Sequence, residues 1–505
     1  MFRSVAGLIR SAEEKYKDRT AYNDLKHRIS FSEAGDLSSR VACAALDMGL
    51  AGKPVLIFTS QDVYTPVLFL GFARAGCFYI PVDPSQNPNR VKQIVEAASP
   101  SLIVASDDIR SLVEDTGYKG NVISPGELFS HETGEDRLKA AEDETGPSSP
   151  MYVIFTSGST GKPKGVLTSA GSLLNYIEAV NEVLELTPED VLGSQSPLDY
   201  IAAIRDIYLP LLTGAMTVII PRSTFAMAND LASVLDNNHV SVLCWSAAGL
   251  EIAYKTGLLD ELATDSIRKV LFSGSPLPGR ILKEWQTRLP DALFINQYGP
   301  TEATASCTYY VVKEKADDST VLPVGVPYRN YKIILLNEDG TGTPGGDIGE
   351  ICVSGIGVAM GYYRNEELTA RSFIQNPLNG DSREIIYKTG DYGRINGDGL
   401  LEFHGRKDRQ IKFMGHRVEL EEIELCCMGV PGVNACAAVF DAGRSLIVLY
   451  YEGSAERKEI AVYLRSKLPA FMVPGKTVKI DKIPRLPNGK PDINEVKRLA
   501  ERGNC

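Results

Sequence analysis

The sequence predicts an α/β protein: a largely parallel sheet covered by helices, then a small antiparallel β region, then a separate C-terminal α+β unit. Three observations carry this. Short apolar runs alternate with helix-like patterns through the first half of the chain, as strands joined by helical crossovers do. After residue 320 the pattern changes to short strands punctuated by glycines, among them Gly340, Gly342, Gly345 and Gly346. From position 406 onward 18 basic residues face 13 acidic ones, against 35 and 51 in the rest of the chain, which sets the C-terminal segment apart.

The elements follow in order. MFRSVAGLIRSAEEKYKDR (1–19) reads as an amphipathic helix, and Arg10 interrupts the apolar stretch that a signal peptide would need. PVLIFTS (54–60) reads as a buried strand, 65–75 as a helix, and CFYIPVD (77–83) and SLIVAS (101–106) as further strands. The polar stretch 131–150 reads as a loop, after which MYVIFTS (151–157) enters as a strand. YKIILLN (331–337), GEICVSG (349–355) and DGLLEFHG (398–405) form the antiparallel β subdomain. A charged, glycine-bounded stretch, GRKDRQIKFMGHR (405–417), leads to a helix-like VELEEIELCCM, two strands (ACAAVF and SLIVLYY), a helix over 456–468 and a basic tail. The expected boundary lies at 407–409, dividing the chain into 1–406 and 407–505.

A chain of 505 residues has room for about three domains or one large and one small. With 44% hydrophobic and 23% charged residues it is an ordinary globular chain, neither disordered nor collagenous nor a disulfide framework. The net charge of −11 argues against nucleic acid as the main partner, since that affinity rests on neutralising phosphates. The basic C-terminal bias is either a solvated face or a small domain acting on something anionic. Nine cysteines, an odd number with no C-x-x-C spacing, suit reduced thiols in a cytoplasmic protein. No apolar run is long enough to span a membrane.

The sharpest local signal is Phe155-Thr-Ser-Gly-Ser-Thr-Gly-Lys-Pro-Lys-Gly165, directly after the strand MYVIF. Small residues let successive backbone N–H groups approach an anion, the hydroxyls add donors, and Lys162 and Lys164 supply charge. It is not a Walker A loop: Thr156 occupies the first glycine place and Pro163 follows the lysine, which also disfavours a helix starting there.

This segment is similar to the signature of the adenylate-forming superfamily, which includes nonribosomal-peptide adenylation domains, acyl-CoA and aryl-CoA ligases, and luciferases. The resemblance covers almost the whole chain. AGCFYIPVDPSQNPNRV (75–91), NQYGPTEAT (296–304), GEICVSGIGVAMGYY (349–363), YKTGDYGR (387–394), GRKDRQIKFMGHRVELEEIE (405–424), LPAFMVP (468–474) and LPNGKPD (486–492) follow in the family's order. Gln410-Ile411-Lys412 and Asn488-Gly-Lys490 resemble the peptide-synthetase branch. The fold implied is that of the adenylate-forming enzymes: two α/β sheet subdomains and a small β subdomain, with a small mobile C-terminal lid.

The activity implied is ATP- and Mg²⁺-dependent activation of a carboxylic acid as an acyl-adenylate, followed by transfer to a thiol. The barrier is mainly one of charge, because an anionic carboxylate must attack an anionic phosphate, so positioning and cations are what a protein can supply. By resemblance, Thr156, Ser157, Gly158, Ser159, Thr160, Gly161 and Lys164 would surround the phosphates, with Thr160 and Thr301 capping them. Gly274, Ser275 and Gly299 would also belong to the nucleotide site, with Tyr298 stacking on adenine and Asn296 bonding its edge. Asp391 would accept from both ribose hydroxyls, and Arg406 would contact ribose or phosphate. Glu302 would hold Mg²⁺, an ion that seeks carboxylate and phosphate oxygens. Lys490 would bridge the substrate carboxylate and the α-phosphate. Asp408 falls at the family's hinge, where the lid would rotate so that Lys490 leaves and the loop at Gly415 approaches the thiol arm; on spacing alone Asp408 also reads as a turn carboxylate.

The implied acid pocket departs from the α-amino-acid pattern. Counting back from Asp206-Ile-Tyr, Ile201 stands where relatives carry the aspartate that holds the substrate ammonium, and Asp199 lies two residues earlier. Either Asp199 takes that role by a register change, which suits a β-amino acid, or the ammonium partner is absent, which suits an aryl or other acid. Asp199 also reads as a helix N-cap. The same counting lines the pocket with Ala202, Arg205, Ala248, Leu271, Ser273, Gln297, Ala305 and Ser306. Arg205 would either meet a second acidic group of the substrate or, the preferred reading, point outward and pair with an acid such as Asp206. Ala170 stands where relatives commonly carry a histidine.

The leading expectation is a stand-alone enzyme that loads an amino acid, α, β or otherwise non-standard, on the phosphopantetheine thiol of a discrete carrier protein. A ligase using free CoA is the alternative. A degenerate binding module would require lost catalytic residues, and Lys490, Glu302 and Asp391 are all present.

Overall fold

The computed structural model describes residues 2–158, 162–263, 266–406, 409–441, 443–485 and 491–501. The opening helix is Val5–Tyr16; the Ser4 hydroxyl caps it by accepting the Gly7 N–H, and Val5, Leu8, Ile9, Ala12 and Tyr16 form its buried stripe. The expected strands fall at Pro54–Phe58, Phe78–Val82, Leu102–Val104 and Pro150–Thr156, and the helix expected over 65–75 at Tyr64–Arg74.

Two large sheets result. One has seven strands, with Pro150–Thr156, Phe78–Val82, Pro54–Phe58, Leu102–Val104 and Asn121–Ile123 parallel, and Lys164–Ser169 and Gly361–Tyr362 added antiparallel at one edge. The other has nine. At its centre Met216–Ile219, Val191–Ser194, Val242–Ser246, Lys269–Ser273 and Leu293–Tyr298 run parallel, continuous with the apolar runs that a sheet covered on both faces requires. A smaller five-stranded sheet, Tyr331–Leu336, Gly349–Gly355, Phe373–Gln375, Ile385–Ile395 and Leu401–Arg406, is antiparallel throughout, as the glycine-punctuated pattern predicts.

The C-terminal segment builds a hairpin from Gln410–Phe413 and His416–Glu419, and a three-stranded sheet from Val433–Asp441, Leu446–Gly453 and Lys476–Lys479. Helices Leu420–Cys427, Arg457–Lys467 and Ile493–Glu501 accompany them. Its apolar clusters, drawn from 418–496, share no residue with those of the preceding chain.

One expectation needs correction. The stretch 131–150 is not all loop: Glu135–Asp143 is a helix. Its sequence EDRLKAAED is polar around most of its circumference, and only Leu138 and Glu142 are buried, Glu142 because Arg74 and Arg10 pair with it. Among the described residues no helix is long and apolar enough to cross a membrane.

Candidate functional site

The glycine-rich segment is the turn of a β-hairpin. Pro150–Thr156 enters it and Lys164–Ser169 leaves antiparallel, with Thr156 opposite Lys164 and Phe155 opposite Gly165. The helix Ala170–Leu184 starts only after that second strand, so Pro163 does exclude a helix at Lys162. Ser159, Thr160 and Gly161 lie outside the described residues. A Cβ on Gly158 would sit 2.3 Å from the Lys162 carbonyl oxygen, so the turn closes tightly there. Thr156 Oγ1 is buried with no hydrogen-bond partner among the described residues. Ser157 Oγ donates to the Arg417 carbonyl at 2.6 Å.

The parallel strands of the large sheet end together, placing Ser246, Ser273 and Gln297 side by side. Clefts outside the carboxyl ends of such strands are where open α/β sheets bind ligands. After Leu293–Tyr298 the chain turns sharply: a Cβ on Gly299 would lie 2.4 Å from Ser306 Cα, and Thr304 and Ala305 adopt positive φ values of 52° and 70°. This bend folds Ala305 and Ser306 back beside the strand end and buries Glu302 completely. Asn296 Nδ2 donates to the Pro323 carbonyl at 2.9 Å. Gly274 and Ser275 follow directly on Lys269–Ser273.

Two polar clusters flank this bend. In the first, the Tyr298 hydroxyl donates to Asp391 at 2.5 Å, and Arg406, opposite Asp391 in the strand register, pairs with the same carboxylate. In the second, Glu302 Oε1 accepts from the Tyr362 hydroxyl at 2.6 Å and lies 3.3 Å from Lys164 Nζ, while Arg417 Nη1 stands 3.0 and 3.2 Å from its two oxygens. Burial would raise the Glu302 carboxyl, but Arg417, Lys164 and the Tyr362 hydroxyl outweigh it and hold the group well below the ordinary range. Burial and the facing Arg417 charge pull Lys164 below its ordinary value. Thr301 opens the short 3₁₀ turn that carries Glu302.

The acid-pocket residues assemble from Ile201, Ala202 and the helix Ala203–Thr213 against the strand ends. Arg205 does not point outward: its side chain is 2% exposed. It does pair with Asp206, Nε to Oδ1 at 3.1 Å, and it also donates to the Cys244 carbonyl at 2.8 Å and to Gln297 Oε1 at 3.3 Å. Gln297 in turn donates to the Tyr328 hydroxyl. Leu271 is fully buried, while Ala248, Ser273 and Ala305 retain partial exposure and Ser306 is buried. Asp199 is not a helix cap. The helix begins at Ala203 with no side-chain cap, and Asp199 Oδ2 accepts from the Asp83 N–H at 3.1 Å and from Gln86 Nε2 at 2.6 Å. Burial and the neighbouring Asp83 raise its carboxyl. Ala170 is buried at the start of its helix.

The hairpin 410–419 enters the same cleft. The Tyr200 hydroxyl donates to the Gly415 carbonyl at 2.6 Å, and Lys412 Nζ stands 5.9 Å from the centre of the Tyr298 ring. His416 stacks on Phe471 at 3.8 Å and meets Tyr200 edge-on. Burial, with the charges of Arg222 and Arg90, lowers His416 to about 4. Further out, Asn87 and Asn89 donate to the carbonyls of Arg465 and Ser466, and Arg90 lies 3.8 Å from Glu422, whose carboxyl burial raises to about 7. Lys407, Asp408 and Lys490 lie outside the described residues.

With this geometry in place, comparison with known proteins is decisive at one point: the model of the AMP-binding enzymes matches residues 9–363, most of the chain, taking in Lys164, Tyr298, Glu302 and Tyr362 of the two clusters. The chain belongs to the AMP-binding enzyme family. It is 30% identical to zwittermicin A synthase ZmaJ of Bacillus cereus over 488 residues, covering 94% of this chain and 91% of that protein. It is 29% identical to tyrocidine synthase 1 of Brevibacillus parabrevis over 501 residues, covering 97% of this chain but only 44% of that much longer protein. In fold it matches the Vibrio cholerae adenylation domain AlmE, solved with glycyl-adenosine-5'-phosphate, with a TM-score of 0.83 at 22% identity, covering 99% and 98% of the two chains.

Two residues of this AMP-binding enzyme were not singled out by sequence reasoning, although both stand in the quoted motifs: Tyr362 in GYY and Arg417 in GHR. Their meeting at Glu302 depends on a strand pairing, Tyr362 opposite Val166, and on the seating of the hairpin. Among the described residues no group of three or more histidine, cysteine or carboxylate side chains could hold a metal. Glu302 alone does not fit one in this arrangement, because its oxygens already face two cations and a hydroxyl donor.

Proposed function

We propose that the chain uses ATP to activate a small acid, an amino acid in the leading reading, and passes the acyl group to the phosphopantetheine thiol of a separate carrier protein. The substrate carboxylate oxygen attacks the α-phosphorus, the bond from that phosphorus to the bridging β-phosphate oxygen breaks, and pyrophosphate leaves. The thiol sulfur then bonds the acyl carbon, AMP departs with the anhydride oxygen, and the thiol gives up its proton.

The observation that carries this reading is the pair of polar clusters flanking one bend. Asp391, set by Tyr298 and Arg406, is an acceptor suited to ribose hydroxyls. Lys164 and the glycine-rich turn supply cation and donors for phosphates, with Mg²⁺ arriving on the nucleotide's own phosphates. Family membership and the likeness to ZmaJ along nearly its full length support it. The division into 1–406 and a lid 407–505 is supported by the separate apolar cluster of the C-terminal segment. In this arrangement the Gly415 loop stands in the cleft, which supports a thiol-transfer pose. The eight cysteines among the described residues are unpaired, which supports the reading of a reducing, cytoplasmic setting.

For the substrate amine, Asp199 keeps one oxygen, Oδ1, without a hydrogen bond among the described residues, which supports the shifted-carboxylate reading. Ile201, apolar and 8% exposed, favours the second reading, an acid with no α-ammonium. The test is product analysis with a panel of α-amino, β-amino, aryl and hydroxy acids, followed by a choice of acceptor. AMP with pyrophosphate, and loading of a phosphopantetheinylated carrier, support the proposal. Transfer to free CoA with no carrier would favour the ligase alternative, and activity confined to α-amino acids would remove the Asp199 assignment.

A further inference from the structure

We infer that Arg417 and a divalent metal are alternative occupants of Glu302, so that the hairpin 410–419 seats only where no metal is bound. The inference rests on the nucleotide reading above. Glu302 is fully buried, and a carboxylate in that position has few ways to be satisfied. Both its oxygens lie within hydrogen-bond distance of Arg417 Nη1, at 3.0 and 3.2 Å. Lys164 and Tyr362 complete its surroundings. Glu419, buried on the same hairpin, lies 3.6 Å from Arg417 Nε, so two carboxylates face two cations and the cluster is balanced without a metal. Mg²⁺ demands oxygen ligands in near-ideal octahedral geometry, which a guanidinium nitrogen held against both Glu302 oxygens obstructs.

The three partners of Glu302 differ in what carries them. Lys164 and Tyr362 sit on strands paired to one another through Val166 and Leu167, so they stay with Glu302 whatever the hairpin does. Arg417 is carried on the hairpin, whose other anchors, Ser157 to the Arg417 carbonyl and Tyr200 to the Gly415 carbonyl, line the same cleft. It arrives and leaves with the hairpin as a unit. Arg417 is therefore a positioning residue: its guanidinium satisfies both Glu302 oxygens and so makes seating of the hairpin compatible with a buried, ionised Glu302.

Hydrogen exchange of the full chain, read over 410–419, tests this. The conditions are no ligand, α,β-methylene-ATP with Mg²⁺, and the same analogue with EDTA. In the wild type the hairpin amides exchange slowly without ligand and with analogue plus EDTA, and about tenfold or more faster with analogue plus Mg²⁺. In Arg417→Met they are fast in all three conditions and lose the metal response, while Arg417→Lys, which keeps the charge, restores part of it. A wild-type hairpin blind to the metal, or an Arg417→Met variant that keeps the full response, overturns the assignment. Protection of Leu293–Tyr298 and Ile385–Ile395 by the analogue reports nucleotide binding separately. With that protection present, a hairpin blind to the metal defeats the Arg417 assignment alone; without it, the nucleotide reading falls and takes the assignment with it.

Discussion

Replacing Arg205 by methionine should destabilise the body of the protein without changing which acid it accepts. Arg205 and Asp206 are 2% and 1% exposed, so neither charge reaches water. The guanidinium serves three acceptors: Asp206 at 3.1 Å, the Cys244 carbonyl at 2.8 Å and Gln297 at 3.3 Å. Without it Asp206 retains the Ser194 hydroxyl at 2.8 Å and no cation. Removing one partner of a buried pair costs about 3–5 kcal/mol, because the other charge is left uncompensated. Burial already raises the Asp206 carboxyl, so uptake of a proton brings the cost toward the lower figure. At about 2–4 °C per kcal/mol for a cooperative unit of ordinary domain size, the expected fall in Tm is about 6–20 °C. The assay is calorimetry of Arg205→Met, Asp206→Asn and the double variant. In the double variant no charge is stranded, so its loss should be smaller than the sum of the singles by about 1–3 kcal/mol. A single variant within about 1 °C of wild type, or strict additivity, would refute the buried-pair argument, since RT-scale changes are all that an exposed pair supplies.

Other predictions follow from the same geometry. Tyr362→Phe removes a 2.6 Å hydrogen bond to an ionised carboxylate, an interaction of about 1.5–3 kcal/mol, and should slow activation about ten- to hundredfold; acid-dependent pyrophosphate release measures it, and an unchanged rate would show that Glu302 needs no such support. The seating of the hairpin should depend on pH in two opposed ways. His416, at about 4 when seated against 6.5 when exposed, supports seating fully above pH 6.5 and withdraws that support as pH falls toward 4. Glu422, at about 7 against 4.5, supports seating fully below pH 4.5 and withdraws it as pH rises through 7. In exchange experiments corrected for intrinsic rates, His416→Phe should therefore leave seating that only strengthens on acidification, and Glu422→Gln seating that only weakens. Lys490→Ala should abolish acyl-adenylate formation yet spare transfer from a supplied acyl-adenylate; equal loss of both half-reactions would contradict the role assigned to Lys490.

Much of the fold was legible because its strands are continuous apolar runs and its helices carry one buried stripe, as in PVLIF and Val5–Tyr16. The helix Glu135–Asp143 was not, because a helix held by one leucine and a buried glutamate has no apolar periodicity to read. Within the site, local contacts were readable and distant ones were not. Arg205 and Asp206 are sequence neighbours, so their pairing could be expected. That the pair faces inward depends on Cys244 and Gln297, on two other strands. Asp199 lies in an apolar stretch that invites a local cap, whereas its partners Asp83 and Gln86 come from the turn after Phe78–Val82, a central strand of the seven-stranded sheet. Arg417 stood in a stretch read only as charged and glycine-bounded, and it completes the surroundings of Glu302 because only the seated hairpin brings residues 115 positions apart together.

The most direct measurement of the central claim is exchange of labelled pyrophosphate into ATP, run across the acid panel with the intact chain. The proposal predicts exchange that needs both Mg²⁺ and one class of acid, without any thiol acceptor, because acyl-adenylate formation is reversible and precedes transfer. Formation of ADP and phosphate instead, or exchange indifferent to every acid offered, would contradict it.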